Sequence, residues 1–161
     1  MKSEKLPAVS VTPTLQLLYT SSIDIAAPLD VGKAPYGQRR IINITGGAFA
    51  GPRLSGRILP GGADWQIVRS DGIVEVDARY TLETDDGALI YITNWGLRHG
   101  PPGVIGRLSA GEPVDPREYY FRTTPTFETA APAYAWLNGV IAVAAGERRA
   151  DAVIITVYEV K

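Results

Sequence analysis

Apolar and polar residues alternate with a period of two along much of this chain, and residues 74–83 show it best. The apolar members of that run are Val74, Val76, Ala78, Tyr80 and Leu82. Such a period places successive side chains on opposite faces of a β-strand. Asp85-Asp86-Gly87 follows, and residues 88–95 return as a second run. An Asp-Gly turn between two alternating runs predicts a β-hairpin.

Further strands are predicted on both sides of this hairpin. They cover residues 15–25, 39–45, 54–59, 65–69, 119–127, 134–145 and 153–160. The chain also contains 17 glycines and 12 prolines, which favour short strands between turns over helices of ordinary length. Residues 98–117 are especially rich in both, so we predict a long loop that covers one end of the fold.

The predicted fold is all-β, because a set of about nine short strands must hide its edges by closing or stacking. We predict an antiparallel β-barrel, closed or nearly closed, in a single domain over residues 1–161. Residues 1–13 are expected to form a poorly ordered N-terminal arm. A β-sandwich is the alternative architecture, since its strands carry the same alternation.

Composition excludes several classes of function. The chain has 16 basic and 17 acidic residues, without the clustered basic excess of a nucleic-acid binder. It has no cysteine and one histidine, so one chain cannot supply a histidine–cysteine metal site. Neither glycine pair has the lysine of a phosphate-binding loop, and no cofactor is indicated. Without a signal-like segment or a long apolar run, we expect a cytoplasmic protein that binds no membrane.

A set of short motifs along the chain resembles a known family. The motifs are Ile44-Thr45-Gly46-Gly47, Gly61-Gly62-Ala63-Asp64-Trp65, Ala78-Arg79-Tyr80, Asp86-Gly87, Tyr119-Tyr120-Phe121-Arg122, Phe127-Glu128-Thr129 and Trp136-Leu137-Asn138. In this order they resemble the bacterial and fungal family called domain of unknown function 3237, or uncharacterised protein family 0311. The resemblance extends from about Leu15 to Val160. It implies a small β-barrel and no particular activity.

Asp64 and Trp65 form the first candidate site. A carboxylate beside an indole at a barrel rim could transfer protons, because an apolar wall raises the pKa of a carboxyl group. The alternative is structural: Asp64 caps the glycine turn before it, and Trp65 packs into the core.

Arg122 and Glu128 form the second candidate site, because they share one face of the strand at residues 119–127 and just beyond it. Arg122 could bind a carboxylate or enolate through two hydrogen bonds, and Glu128 could move a proton. Arg79, Trp136 and Asn138 could complete the lining of a pocket for a small oxygenated molecule. The alternative is an ion pair between Arg122 and Glu128, with Trp136 in the core.

Three functions fit these observations. One is an acid–base enzyme without a cofactor, an isomerase, cyclase or hydratase with Asp64 or Glu128 as proton shuttle and Arg122 as oxyanion stabiliser. Another is a carrier or sensor, with Trp65, Arg79, Arg122, Trp136 and Asn138 around a small-molecule ligand. The third is a structural or interaction module, which requires a solidly packed barrel. A homodimer or higher homo-oligomer is expected if edge strands pair.

Overall fold

A computed structural model describes residues 6–161 of the chain. Within these residues the strands are β1 (Leu15–Ile25), β2 (Leu29–Ala34), β3 (Gly37–Ala50), β4 (Ser55–Ile58), β5 (Ala63–Val68), β6 (Val74–Thr84), β7 (Leu89–His99), β8 (Tyr120–Glu128), β9 (Ala142–Arg148) and β10 (Ala152–Val160). One α-helix, α1 (Pro102–Ser109), follows β7. Two 3₁₀ helices cover Pro116–Glu118 and Pro132–Gly139.

The strands form a closed antiparallel β-barrel, as predicted. From β6 to β10 each strand pairs with the next along the chain, and β10 pairs with β1. Strand β1 then pairs with β3, which is joined to β6 through the short strands β4 and β5. Eight strand positions therefore close the ring, with β2 as an additional strand on β3. Closure leaves few free strand edges.

Strand β3 bends at Gly46-Gly47, and this bend allows it to serve two pairs of neighbours. Its first half pairs with β2 and β5, and its second half pairs with β1 and β4. Gly47 has a φ of 135°, and a Cβ atom there would lie 2.2 Å from the Ser22 carbonyl oxygen. Only glycine fits this close approach of two backbones.

One half of the barrel interior is solidly packed. Tyr19 makes edge-on contacts with Phe49 and Phe127, at centroid distances of 5.5 and 6.4 Å. Leu137 from the second 3₁₀ helix is fully buried and covers this end. Close packing of this kind excludes water and fixes the relative positions of the strands. The opposite end, where Val74 pairs with Arg98, is built differently and contains the candidate site.

Two sequence predictions about local structure are wrong. Residues 134–145 were predicted as one strand, but Pro132–Gly139 is a 3₁₀ helix and only Ala142 onward is strand β9. Proline at the start of the helix and alanines within it favour the helical turn. Residues 98–117, predicted as a loop, extend β7 to His99 and contain α1. Of the predicted N-terminal arm, residues 1–5 lie outside the described residues, and residues 6–13 are exposed and outside any helix or strand.

Candidate active site

An inner cavity lies in the half of the barrel opposite the packed core. Most of its apolar wall comes from aliphatic residues of β1, β3 and β10, namely Ile23, Ile25, Ile42, Ile44, Val153 and Ile155, and β6 and β8 contribute Val76, Ala78 and Phe121. Its polar groups are Asp64, Gln66, Asn94, Arg98, Thr123 and Arg148. The cavity volume is about 40 Å³, room for roughly two or three water molecules. Convergent polar groups in an apolar chamber are typical of a ligand site.

Asp64 is fixed inside the cavity by an interruption of the β5–β6 ladder. Strand pairing between β5 and β6 skips Trp65 and Gln66. Within this gap the Asp77 amide N–H donates to Asp64 Oδ1 at 2.8 Å. The Trp65 carbonyl oxygen accepts instead from the Arg39 guanidinium, at 2.7 Å. The Asp64 carboxylate thus takes the place of a backbone carbonyl as the acceptor for the Asp77 amide. This hydrogen bond ties the position of the carboxylate to strand β6.

The second carboxylate oxygen begins a chain of hydrogen bonds that leads to Arg40. Gln66 Nε2 donates to Asp64 Oδ2 at 3.0 Å. The Arg40 guanidinium donates in turn to Gln66 Oε1. Gln66 is 1% exposed, so this connection runs through the protein interior. The Arg40 Nε atom is buried and has no hydrogen-bond partner among the described residues.

The environment of Asp64 makes its carboxyl group a weaker acid than an exposed aspartate, with a raised pKa. Burial raises the pKa of Asp64 above the ordinary value of 3.8. The hydrogen bonds from Asp77 and Gln66 and the charge of Arg98 oppose this effect without cancelling it. A carboxyl group with a raised pKa in a cavity can act as a general acid and then as a base.

Arg98 brings a buried positive charge to the same cavity. Its side chain belongs to strand β7 and is only 8% exposed. Burial, with the neighbouring charges of Arg148 and Arg40, lowers its pKa to about 10, so Arg98 is a cation at neutral pH. The guanidinium lies 5.4 Å from the centre of the Phe121 ring. Among the described residues it forms neither a hydrogen bond nor an ion pair within 4.0 Å with a carboxylate, which leaves its donors free for a ligand.

Two further polar atoms in the cavity lack partners. Asn94 Oδ1 and Thr123 Oγ1 are buried and accept or donate no hydrogen bond within residues 6–161. Both side chains line the cavity beside Tyr80. Unsatisfied buried polar groups cost free energy in the empty protein, and a polar ligand would satisfy them.

A second space, which we call the mouth, adjoins the inner cavity. Its volume is about 270 Å³, and it shares Ile42, Arg98 and Arg148 with the cavity wall. Arg40 from β3 lines the mouth together with Leu108 and Ser109 at the end of α1 and with Ala110 and Gly111 just after it. The cavity and mouth are therefore neighbouring spaces separated by no more than these shared side chains.

Of the seven residues that the sequence pointed to, the structure brings only Asp64 into the cavity. Trp65, Arg79, Arg122 and Glu128 lie on the outer face of the barrel. The prediction that the first three line an interior pocket therefore needs correction. On β6 and β8 the aliphatic and aromatic faces point inward, which leaves the polar faces in solvent. His99, also outside, stacks on Tyr120 at 4.8 Å.

Trp136 and Asn138 lie on the second 3₁₀ helix, at the packed end of the barrel and away from the cavity. Trp136 packs under Arg53, whose guanidinium carbon is 3.5 Å from the ring centre. Asn138 binds both backbone groups of Thr129, accepting from its N–H at 2.8 Å and donating to its carbonyl oxygen at 2.9 Å. These contacts attach the helix to the end of β8.

We expect Asn138→Ala to lower the stability of the protein without affecting ligand binding. Two hydrogen bonds to Thr129 are lost, which should cost about 1–2 kcal/mol of unfolding free energy. Urea denaturation measures this change, and Asn138→Asp should lose a comparable amount, because its second carboxylate oxygen would face the Thr129 carbonyl oxygen. A ligand affinity that falls while stability is unchanged would restore Asn138 as a binding residue.

Sequence reasoning missed Arg40, Arg98 and Arg148 as site residues. The sequence does indicate that Arg98 faces inward, because it falls on the same alternate positions of β7 as the buried residues Ile90, Ile92 and Asn94. Arg40 and Arg148 stand in two separate arginine pairs, and no local pattern indicates that strands β3 and β9 place them at the same mouth.

Comparisons with known proteins agree with this architecture. The UPF0311 protein RPA1785 of Rhodopseudomonas palustris is 45% identical over 152 residues, which cover 93% of this chain and 99% of the relative. The crystal structure of RPA1785 superposes with a TM-score of 0.91 and covers 94% of this chain and 100% of that one. A beta-barrel like protein of Acinetobacter baumannii superposes with a TM-score of 0.84 at 46% identity, covering 96% and 100%.

A more distant relative is called hydroalkoxylation enzyme phnH, from Penicillium herquei. It is 26% identical over 130 residues, which cover 81% of this chain and 72% of the relative. The family model described as "Protein of unknown function (DUF3237)" matches residues 13–160. With that match and the close similarity to RPA1785, the chain belongs to the DUF3237 family, the UPF0311 proteins.

Proposed function

We propose that this protein is an acid–base enzyme that adds a hydroxyl group across a carbon–carbon double bond, with Asp64 as the proton-transfer residue. The observation that carries the proposal is the pairing of a carboxyl group of raised pKa with the free guanidinium of Arg98 in one cavity. The reaction moves protons and electron pairs only. It therefore requires no oxidant, reductant or cofactor.

Arg98 and Asp64 suit the two requirements of such an addition, which are to stabilise a negative oxygen and to transfer a proton. When a hydroxyl oxygen attacks a double bond conjugated to a carbonyl group, a carbon–oxygen bond forms and the π electrons move to the carbonyl oxygen. Arg98 would stabilise that enolate oxygen. The Asp64 carboxyl group would donate its proton to the enolate carbon, and the resulting carboxylate would recover the proton that the attacking hydroxyl loses.

The size of the cavity limits what part of a substrate reaches Asp64. About 40 Å³ admits a few heavy atoms, whereas the mouth of about 270 Å³ can hold an aromatic ring. We infer that the reacting carbon atoms enter the cavity and the body of the substrate stays in the mouth. An intramolecular addition, in which hydroxyl and alkene belong to one molecule, fits this arrangement because it closes a ring without a second substrate.

The similarity to the Penicillium herquei enzyme supports the reaction class. That protein is called a hydroalkoxylation enzyme, and hydroalkoxylation is the addition of an O–H group across a double bond. The reaction proposed from Asp64 and Arg98 has the same overall chemistry. A cyclase or hydratase without a cofactor, one of the functions expected from the sequence, would carry out chemistry of this class.

Ring closure of a small phenol tests the proposal. We would incubate the protein with 1-(2-hydroxyphenyl)but-2-en-1-one and follow formation of 2-methylchroman-4-one by chiral chromatography. The uncatalysed reaction gives a racemic product, so an excess of one enantiomer, together with acceleration over buffer, is the expected result. Racemic product formed at the buffer rate, from a phenol that NMR shows to be bound at the mouth, would contradict the proposed function and favour a carrier.

A further inference from the structure

The mouth concentrates positive charge. Arg40, Arg98 and Arg148 line the mouth and cavity, and Asp64 is the one carboxylate that lines either space within residues 6–161. An excess of two positive charges therefore faces this space even when Asp64 is ionised. Like charges held close together destabilise a folded protein unless a counter-charge joins them.

Nearby acidic residues do not neutralise this cluster. Asp151 does not line the mouth, and its charge acts on Arg148 without an ion pair within 4.0 Å among the described residues. Glu147 is engaged by Arg149 at 3.2 Å, on the outer surface. Among residues 6–161 the Arg148 guanidinium makes only a long hydrogen bond of 3.4 Å, to the Ala152 carbonyl oxygen. Arg40 is held by Gln66 and retains a buried Nε without a partner among the described residues.

We propose that the mouth is a binding site for an organic anion, with Arg40 and Arg148 holding the carboxylate or phenolate oxygens of a small acid. Guanidinium groups bind such planar anions through charge-assisted hydrogen bonds. The aliphatic wall behind them favours an organic body over an inorganic ion. Only the statement that this acid is a substrate depends on the proposed function.

This placement separates anchoring from chemistry. Arg40 lines the mouth only, Arg98 and Arg148 line both spaces, and Asp64 lines only the inner cavity, so an acid anchored by Arg40 and Arg148 would direct its other end toward Asp64. We therefore infer that the substrate class is an unsaturated alcohol or phenol that carries a separate acidic group, which remains unchanged while the hydroxyl adds to the double bond. Fixing one end of a substrate in this way orients the reacting atoms.

Binding of benzoate, compared with its neutral analogue benzamide, tests the site. We would titrate each compound into the protein and follow backbone amide signals by NMR. The chain offers a matched control in Arg149, the neighbour of Arg148, whose side chain pairs with Glu147 outside the mouth. Arg149→Met is therefore the control for both Arg148→Met and Arg40→Met.

The expected result is that benzoate binds more tightly than benzamide and shifts amides around Gly111 and Arg148. Arg148→Met and Arg40→Met should each weaken benzoate binding by about 10-fold or more, the effect of losing one charge-assisted hydrogen bond. Arg149→Met should change it by less than about twofold. Arg148→Lys keeps the positive charge but loses the two parallel N–H donors of the guanidinium, so its loss of benzoate affinity should fall between these values.

Two results would overturn the organic-anion site. An equal loss in Arg149→Met and Arg148→Met would mean that overall charge, and not the mouth, attracts benzoate. Tighter binding of inorganic phosphate than of benzoate would mean a phosphate site. The Asp64→Asn variant distinguishes this proposal from the proposed function. It should bind benzoate at least as well as the unchanged protein, even where it forms no product.

Discussion

Replacement of Asp64 by asparagine is expected to slow ring closure of the phenol probe by about 10²–10⁴-fold, the usual contribution of a positioned general acid–base group. Asparagine has nearly the same shape and cannot transfer a proton. It can still accept from the Asp77 amide or from Gln66, which now bind one carboxylate oxygen each. One of those donors loses its acceptor, so we would confirm folding of the variant by circular dichroism before comparing rates.

Glu128→Gln is the matched control for this loss. Glu128 was the second proton shuttle suggested by the sequence, and it lies on the outer face of β8, where solvent surrounds it. We expect Glu128→Gln to retain the rate and the enantiomeric excess of the unchanged protein. A loss in Glu128→Gln with full activity in Asp64→Asn would move the chemistry to the outer face and contradict the cavity as the active site.

The pH dependence of the rate provides a second readout of Asp64. Its pKa is raised above 3.8 in the folded protein, so at a given pH more of it is protonated than of an exposed aspartate. The donor form predominates below the raised pKa and is lost as the pH rises through it. The rate per bound phenol should fall over that range, while the residual rate of Asp64→Asn should lack this step.

The sequence was sufficient to predict the barrel because its alternation is regular where strands are long. On β6 the apolar phase from Val74 to Leu82 is unbroken, and the structure places that phase inside. The Asp85-Asp86-Gly87 turn joins β6 to β7 as predicted, with Gly87 at a φ of 86°. Local turn chemistry and a period of two determine such a hairpin with little help from the rest of the chain.

The site was harder to predict because the clearest polar patterns belong to the outer surface. Arg122 and Glu128 share a face, but the other face of β8 carries Phe121 and Phe127, and burial of those rings decides which side is inside. The informative signal is a polar residue on an apolar face. Asn94 and Arg98 interrupt the inward phase of β7 in this way, and both face the cavity.

On strand β5 the large aromatic residue is exposed and its polar neighbour is buried, which is the reverse of the usual preference. Trp65 is 38% exposed, whereas Gln66 beside it is 1% exposed. A six-residue strand gives too short a pattern to fix the inward face, and an indole next to a carboxylate suggests that the indole is inside. The hydrogen bonds of Asp64 and Gln66 with Asp77 and Arg40 determine the phase instead. These partners lie on β3 and β6 and cannot be identified from β5 alone.

Replacement of Arg98 by methionine is expected to abolish most activity and yet stabilise the free protein. Without the guanidinium, the enolate oxygen loses its stabilising donor, which should lower the rate by about 10²–10³-fold. In the empty cavity the same group is a buried cation near Arg40 and Arg148. Replacing a poorly paired buried charge by an apolar side chain of similar length should raise the unfolding free energy by about 2 kcal/mol.

A thermal melt and a rate measurement on the same preparation separate the two effects. A gain of about 2 kcal/mol corresponds to a rise in Tm of about 4–8 °C for a protein of this size. Arg122→Met removes an equal charge from the outer face, where Arg122 donates to the Phe121 carbonyl oxygen at 2.8 Å, and should leave the rate unchanged. If Arg98→Met melts lower than the unchanged protein, Arg98 stabilises the barrel. A gain in Tm with loss of activity would mean that the buried charge of Arg98 lowers the stability of the protein and is required for its activity.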